Sequence, residues 1–398
     1  MRRLPPPAAP PTHAEELRGA VKLAVQATVQ VTTVVQEMHI AIGGGPELLG
    51  RPLARVVRTL TAPTYASIRG ITVLVGGGLD RALKQLGPVL GESRPGPERE
   101  ALLGALNGVV GDHLAETGSA LAIPMQLRQA GAPLADPVPD SRERLLLTVH
   151  GSSATDGCWT RRGPHMGEAL AQALDATLVD LRYNSGLHIS TNGAQLSALL
   201  EETVAAWPVP LTELVVIAHS MGGLVMRAAC HAAEEAGHGW RSRLRAIAFL
   251  GTPHHGAPLE RGGNTFETAL GLTTASAPLA RLGRLRSAGV TDLRFGNVLD
   301  EHWHGRDRFQ HGPDPRQRLD LPAGVDCYAL AATSALDPAP SLPSDGMVPV
   351  ASALGHHDSP PLSLDFPPDH QAILFGKSHL DLLDAPEVAE RLRTWLAR

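Results

Sequence analysis

Three residues that together do acyl chemistry stand far apart in this chain, each just after an apolar run or beside a tight turn. Ser220 follows Leu214-Val215-Val216-Ile217 in the stretch Ala218-His219-Ser220-Met221-Gly222-Gly223. Asp345 lies in Ser344-Asp345-Gly346-Met347-Val348-Pro349, and His379 closely follows Ile373-Leu374-Phe375. A serine hydroxyl is a weak nucleophile. It needs an imidazole to take its proton and a carboxylate to orient that imidazole. It also needs backbone N–H groups aimed at the developing oxyanion. The Met221 amide, at the start of a helix, is one candidate donor. The Ser152 amide, in Val149-His150-Gly151-Ser152-Ser153, is the second, with Gly151 allowing close approach of the backbone.

Other residues compete for these roles. Asp326 opens a strand, at the wrong end of a sheet, and Asp337 precedes a proline in a Pro-rich loop. His356 and His357 have no strand before them, and His370 precedes the last strand. His254 and His255 are adjacent, but no motif of known ligand spacing surrounds them; His302 and His304 have ligand-like i, i+2 spacing, but the insertion that holds them is too irregular to support a zinc site. Structural hydrogen bonding is the expectation for His254 and His255. Neither a metal nor a cofactor is expected.

The elements that must position these residues begin near residue 143. Runs at 145–149, 177–181, 214–217, 244–250, 325–331 and 372–375 read as strands, with helices at about 166–174, 193–206 and from Gly222. Such alternation implies right-handed crossovers and a mostly parallel sheet of about six strands, with no room for an extra hairpin before Leu145. Alternation stops between about 257 and 321. That insertion has a helical middle, about 266–286, and is placed to act as a cap.

Before the sheet the chain reads differently. Residues 1–12 are a Pro-rich tail expected to be disordered, 13–130 an all-helical region, and 131–142 a linker by composition. Helices are predicted at about 14–42, 47–60 and 65–86, and from Pro97. Between Lys22 and Glu37 there is no charged side chain, and between Arg58 and Asp80 only Arg69. Packing of these helices on each other or on the rest of the chain explains this. The other reading is a surface that touches lipid or lines an acyl-chain route; membrane-surface helices usually have a Lys/Arg-rich polar face, which is lacking here, and this counts against it.

The residues resemble the α/β-hydrolase superfamily, and within it bacterial lipases and related esterases. Val149-His150-Gly151 looks like their oxyanion loop, and Ala218-His219-Ser220-Met221-Gly222-Gly223 is similar to the elbow of lipases that carry Ala for the first Gly. Gly251-Thr252-Pro253-His254-His255-Gly256 is similar to a segment after the next strand in many lipases, and inositol-deacylase-like hydrolases share the elbow. The resemblance covers residues 145–398. It implies an α/β-hydrolase domain over 143–398, with Ser220, Asp345 and His379 as its triad in the order Ser…Asp…His.

The totals are compatible with this. The chain has 398 residues, and 43% hydrophobic content supports a sizeable core. Acids outnumber bases, 40 to 35, so no basic excess exists to meet nucleic-acid phosphates. Aromatics at 4% leave few stacking platforms. Cys158, Cys230 and Cys327 form no disulfide framework, and no apolar signal core follows Met1-Arg2-Arg3, so a cytoplasmic protein is expected. The expected function is hydrolysis of small-molecule acyl or lipid esters. An acyltransferase using the same triad is the alternative. A non-catalytic binding protein ranks below both, because no triad member is missing.

Overall fold

The computed structural model describes residues 11–43, 54–90, 96–257, 286–309, 314, 316–339 and 341–397. Its centre is an eight-stranded sheet in the order β2-β1-β4-β3-β5-β6-β7-β8. The strands are β1 (Gln126–Gln129), β2 (Ala132–Pro133), β3 (Arg144–Val149), β4 (Ala176–Arg182), β5 (Glu213–His219), β6 (Leu244–Leu250), β7 (Asp326–Thr333) and β8 (Gln371–Phe375). From β4 across to β8 every pairing is parallel, and β1 pairs antiparallel with β2 and β4.

The sheet therefore has eight strands rather than about six, and a hairpin does precede Leu145. Its turn is Ala130-Gly131, with φ of 48° and 76°. Two successive positive φ values are what a two-residue hairpin turn matched to strand twist requires. The hairpin escapes pattern reading because β1 is Gln-Leu-Arg-Gln, with Leu127 as its one buried residue, and β2 has two residues. It draws residues 126–133 into the sheet, across the boundary drawn at residue 131.

Residues alternate across the central strands, and both faces are covered. Leu145, Leu147, Val216, Ala218, Ile247 and Phe249 pack with Leu196, Leu200, Leu224 and Val225. The latter four come from α5 (Ile189–Ala206) and α6 (Met221–Ala236). Leu146, Val215, Ile217, Ala246, Ala248 and Leu250 face the other way, onto Leu170 and Leu174 of α4 (Glu168–Leu174) and Val388, Leu392 and Trp395 of α7 (Pro386–Leu396). Burial on two faces is why these strands are near-continuous apolar runs.

The N-terminal region is helical: α1 (His13–Gly43), α2 (Ala54–Leu90) and α3 (Pro97–Glu116). Where two helices were predicted around Pro63, one helix, α2, runs through it. The predicted start at residue 47 and the tail over residues 1–10 lie outside the described residues. So does nearly all of the helix predicted in the insertion, since residues 258–285 are not described. Among the described residues no helix is long and apolar enough to cross a membrane.

Two contacts fix α3 on the sheet's rim. The first is a chain of ion pairs: Glu16 of α1 to Arg99, Arg99 to Glu100, Glu100 to Arg182 at the end of β4, then Arg182 to Asp156 and Asp156 to Arg128 of β1. Burial pushes the Asp156 carboxyl up, and Arg128 and Arg182 oppose that shift. Such a network adds little net stability but selects one docking geometry. The second is close approach. A Cβ on Gly108 would lie 1.9 Å from Ser153 Oγ and 2.7 Å from Ser153 Cα, and one on Gly111 2.0 Å from Asn184 Oδ1. The backbone of α3 thus rides directly on the loops that follow β3 and β4.

Replacing Gly108 by Ala forces this backbone contact apart. The expected result in urea unfolding is a loss of about 1–3 kcal/mol with an unchanged slope.

Candidate active site

Strand β5 passes into helix α6 through Ser220 alone. That residue has φ 53° and ψ −126°, a conformation normally left to glycine. Its amide donates to the Leu250 carbonyl at the end of β6 (2.8 Å), and its carbonyl accepts from the Gly223 amide (3.1 Å). So short a connection leaves no room for side chains around it. A Cβ on Gly222 would lie 2.5 Å from the carbonyl oxygens of both Val149 and His150, and one on Gly151 would lie 2.9 Å from Ser220 Cβ. Ala218, two residues before Ser220, is fully buried.

Asp345 and His379 meet on the loops after β7 and β8. Asp345 Oδ2 is 2.7 Å from His379 Nδ1, and both side chains are almost fully buried. Asp345 Oδ1 accepts from the amides of Met347 (2.9 Å) and Val348 (2.7 Å), and the Asp345 carbonyl accepts from the His379 amide (2.9 Å). With a carboxylate on Nδ1, that nitrogen carries the proton and Nε2 carries the lone pair. Nε2 is buried and has no hydrogen-bond partner among the described residues.

The His379 ring lies against Gly251 and His219. A Cβ on Gly251 would lie 3.1 Å from its Nδ1 and Cε1. His219, immediately before Ser220, has its ring centroid 4.7 Å from that of His379, and its Nε2–H donates to the His379 carbonyl (3.2 Å). Burial, and then the neighbouring His379, push the His219 pKa well down, so it acts there as a neutral donor. The structure thus brings Asp345 and His379 into contact and sets His379 against the residues flanking Ser220. It forms no hydrogen bond between the Ser220 hydroxyl and His379 Nε2. Catalytic hydrogen bonds are often long without substrate and tighten when it binds.

The two candidate oxyanion donors lie on either side of this turn. Met221 opens α6, where first-turn amides have no intrahelical partner. Ser152 sits in the loop after β3, and its amide has no partner among the described residues. The loop is braced from two sides. Ser153, at φ 57°, donates its amide to Ser185 Oγ (3.0 Å). His150 stacks on Tyr183 with ring centroids 4.3 Å apart, and its carbonyl accepts from the Tyr183 hydroxyl (2.8 Å). His150 Nδ1–H donates to the Gly151 carbonyl (2.8 Å), while Nε2 accepts from the Tyr183 amide (3.4 Å). Burial lowers its pKa to about 4, so this neutral tautomer is fixed at ordinary pH. Tyr183 and Ser185 escape sequence reading, because they follow β4, which carries no candidate residue.

Among the remaining histidines, His255, His302 and His370 hydrogen-bond within the structure through their rings. His255 Nε2–H donates to the Gly355 carbonyl (2.9 Å), and Arg316 donates to His255 Nδ1 (3.3 Å) and to the His254 carbonyl (3.1 Å). His302 Nδ1 accepts from the Val298 amide (3.2 Å), and His370 Nδ1–H donates to the Cys327 carbonyl (3.1 Å) at the far end of the sheet. Among the described residues no group of His, Cys, Asp and Glu could hold a metal ion.

Comparison with known proteins follows this geometry. Residues 201–304, about a quarter of the chain, match the family model described as the PGAP1-like alpha/beta domain. The match runs through β5, Ser220, α6 and β6. The curated proteins contain no match. Solved structures similar to this chain include a lipase of Bacillus licheniformis, BlEst2, in its mature form, at 15% identity over 69% of this chain and 98% of that one, with a TM-score of 0.40. A lipase-esterase related protein of Clostridium acetobutylicum has 12% identity over 69% and 99%, with a TM-score of 0.37. An alpha/beta hydrolase superfamily protein of Enterococcus faecalis has 12% identity over 69% and 95%, also at 0.37. At these values the likeness carries neither a substrate nor a reaction over to this chain.

Two measurements follow from the geometry. Ser220→Gly removes a side chain from a glycine-favouring conformation, and is expected to raise the unfolding free energy by about 1 kcal/mol; a loss of stability would contradict the strained turn. The buried histidines set a pH dependence. His150, His255 and His302 are each lowered to about 4 by burial, against about 6.5 in an unfolded chain. Between those values the unfolded chain binds more protons, so stability is complete above about pH 6.5 and falls as pH drops toward about 4. His150 alone accounts for a loss on the order of 2 kcal/mol at pH 5. Urea unfolding at about pH 7.5 and 5 reads this, and equal midpoints would contradict it.

Proposed function

We propose that this chain is a serine hydrolase of carboxylic esters, with Ser220 as nucleophile, His379 as general base and Asp345 as the group that orients His379. The observation that carries the reading is the contact of His379 with Asp345: its Nδ1 lies 2.7 Å from the carboxylate, and its buried Nε2 has no partner among the described residues.

The steps balance with water as the only co-reactant. Ser220 Oγ attacks the ester carbonyl while Nε2 takes the hydroxyl proton. The carbonyl oxygen becomes an oxyanion, met by the amides of Met221 and Ser152. His379 then gives its proton to the departing alcohol, leaving an acyl-enzyme. Water, deprotonated by the same Nε2, releases the acid and restores Ser220. Asp345 stabilises the imidazolium formed on the way, and its second oxygen is held by two backbone amides so that it cannot turn away.

A cleft of about 930 Å³ lies between α1, α3 and the start of α5, and Ser220, Asp345 and His379 are not among the residues that line it. Leu23, Ala27, Leu102, Leu106 and Val109 line it, with Leu187 and His188 from the loop after β4. That loop also carries Ser185, which holds the Ser153 amide.

Turnover of a p-nitrophenyl ester series tests the reading. Wild type is expected to hydrolyse the series. Ser220→Ala is expected to lose turnover, and Asp345→Asn to fall by about 10³–10⁴-fold with its fold intact by circular dichroism. Turnover that survives in Ser220→Ala, or a folded wild type inert to the whole series, contradicts the proposal. Acyl transfer to an added alcohol in excess of hydrolysis would reassign the chain as an acyltransferase.

A further inference from the structure

Helix α2 carries an exposed apolar surface on a basic frame. Leu60, Ile71 and Leu74 are 73%, 65% and 78% exposed, and Val73, on the opposite side of the helix, is 56% exposed. Large apolar side chains left in water over one stretch mark an interaction surface. No charged residue other than Arg69 lies between Arg58 and Asp80, and both are occupied: Arg69 donates to Gln36, and Asp80 pairs with Arg18 at 2.9 Å. Cations stand at both ends. Arg55 and Arg58 near the start and Arg81 and Lys84 beyond the middle are all exposed. The helix thus holds five cations and one acid, in a chain whose net charge is −5.

The sequence alone hid this arrangement. Read as two helices broken near Pro63, Leu60, Arg55 and Arg58 fall on one and Ile71, Leu74, Arg81 and Lys84 on the other. As one helix, α2 sets an apolar stretch between two basic ends about 34 Å apart.

We propose that α2 docks this protein on an anionic lipid surface, with Leu60, Ile71 and Leu74 entering the head-group boundary, Arg81 beside that face, and Arg55, Arg58 and Lys84 behind it adding longer-range attraction to lipid phosphates. Amphipathic helices that lie in a membrane interface combine these two parts. Leu60, Ile71 and Leu74 are separated by eleven and three residues, which puts them on one side of a helix with a period of 3.6. Charge favours lipid over a second copy of the chain. Pairing α2 with its own twin, parallel or antiparallel, sets basic ends against basic ends. This inference does not depend on Ser220 being a nucleophile.

Co-sedimentation of the full chain with vesicles tests it. Phosphatidylcholine vesicles are compared with vesicles containing about 30% phosphatidylglycerol at about 0.1 M salt. The expected result is partition at least about tenfold stronger onto the anionic vesicles. Ile71→Asp with Leu74→Asp is expected to weaken it about tenfold or more. Replacing Arg55, Arg58, Arg81 and Lys84 by Gln is expected to abolish the anionic preference. Thermal unfolding by circular dichroism verifies that the variants fold, and hydrolysis of a soluble short-chain ester is expected to stay at the wild-type level in both. The proposal is overturned if wild type stays in the supernatant with both vesicles, or if the folded Asp variant partitions like wild type. It is also overturned if light scattering shows a dimer that the Asp variant dissolves, which would give the face to a second copy. An inert wild type in the ester assay would sink the hydrolase reading and leave the vesicle result standing.

Discussion

A one-residue connection between a buried strand and a buried helix governs the rim of this protein. Because Ser220 alone turns β5 into α6, its backbone must take φ 53° and its side chain must stand clear of both elements. The strain this stores is offset by what surrounds it: the Leu250 carbonyl on the Ser220 amide, and two faces of aliphatic packing on β5. Everything nearby is small in consequence. Ala218, Gly222, Gly151 and Gly251 let β3, β6 and the His379 ring approach within van der Waals contact of the turn.

Around that turn, positions are set mostly by polar contacts that no solvent can replace. His219 holds the carbonyl of His379, Asp345 holds its ring, and His150 with Tyr183 holds the loop of Ser152. Burial keeps His219 and His150 neutral, so each has one fixed donor and one fixed acceptor. The N-terminal helices join the same rim from outside. Helix α3 lies against Ser153 and Asn184, and Ser287 donates to the Gly108 carbonyl (2.5 Å) from the described end of the insertion. The helical region is therefore a wall of the rim as well as an appendage to the sheet.

Much of this was legible in the sequence, and the gaps have physical causes. The central parallel strands announce themselves because burial on both faces demands unbroken apolar runs, and the edge strand β8 keeps a short one in Ala372-Ile373-Leu374-Phe375 though none of its residues is fully buried. Their carboxyl ends could then be located, and with them the loops bearing Ser220, Asp345 and His379. The β1–β2 hairpin left no such trace, since Leu127 is the sole buried residue of β1. Pro63 ordinarily interrupts a helix, which predicts two helices here, whereas α2 continues past it. Nor could the brace of His150 by Tyr183 be read: the partners lie 33 positions apart, and nothing local marks the pair.

The most direct measurement of the central claim is active-site titration with a fluorophosphonate, read by intact mass and peptide mapping. One adduct per chain, located on Ser220 and lost when Asp345 or His379 is replaced in a folded variant, is the predicted result. A folded wild type that takes up no label, or labels at another residue with Ser220 untouched, would contradict it.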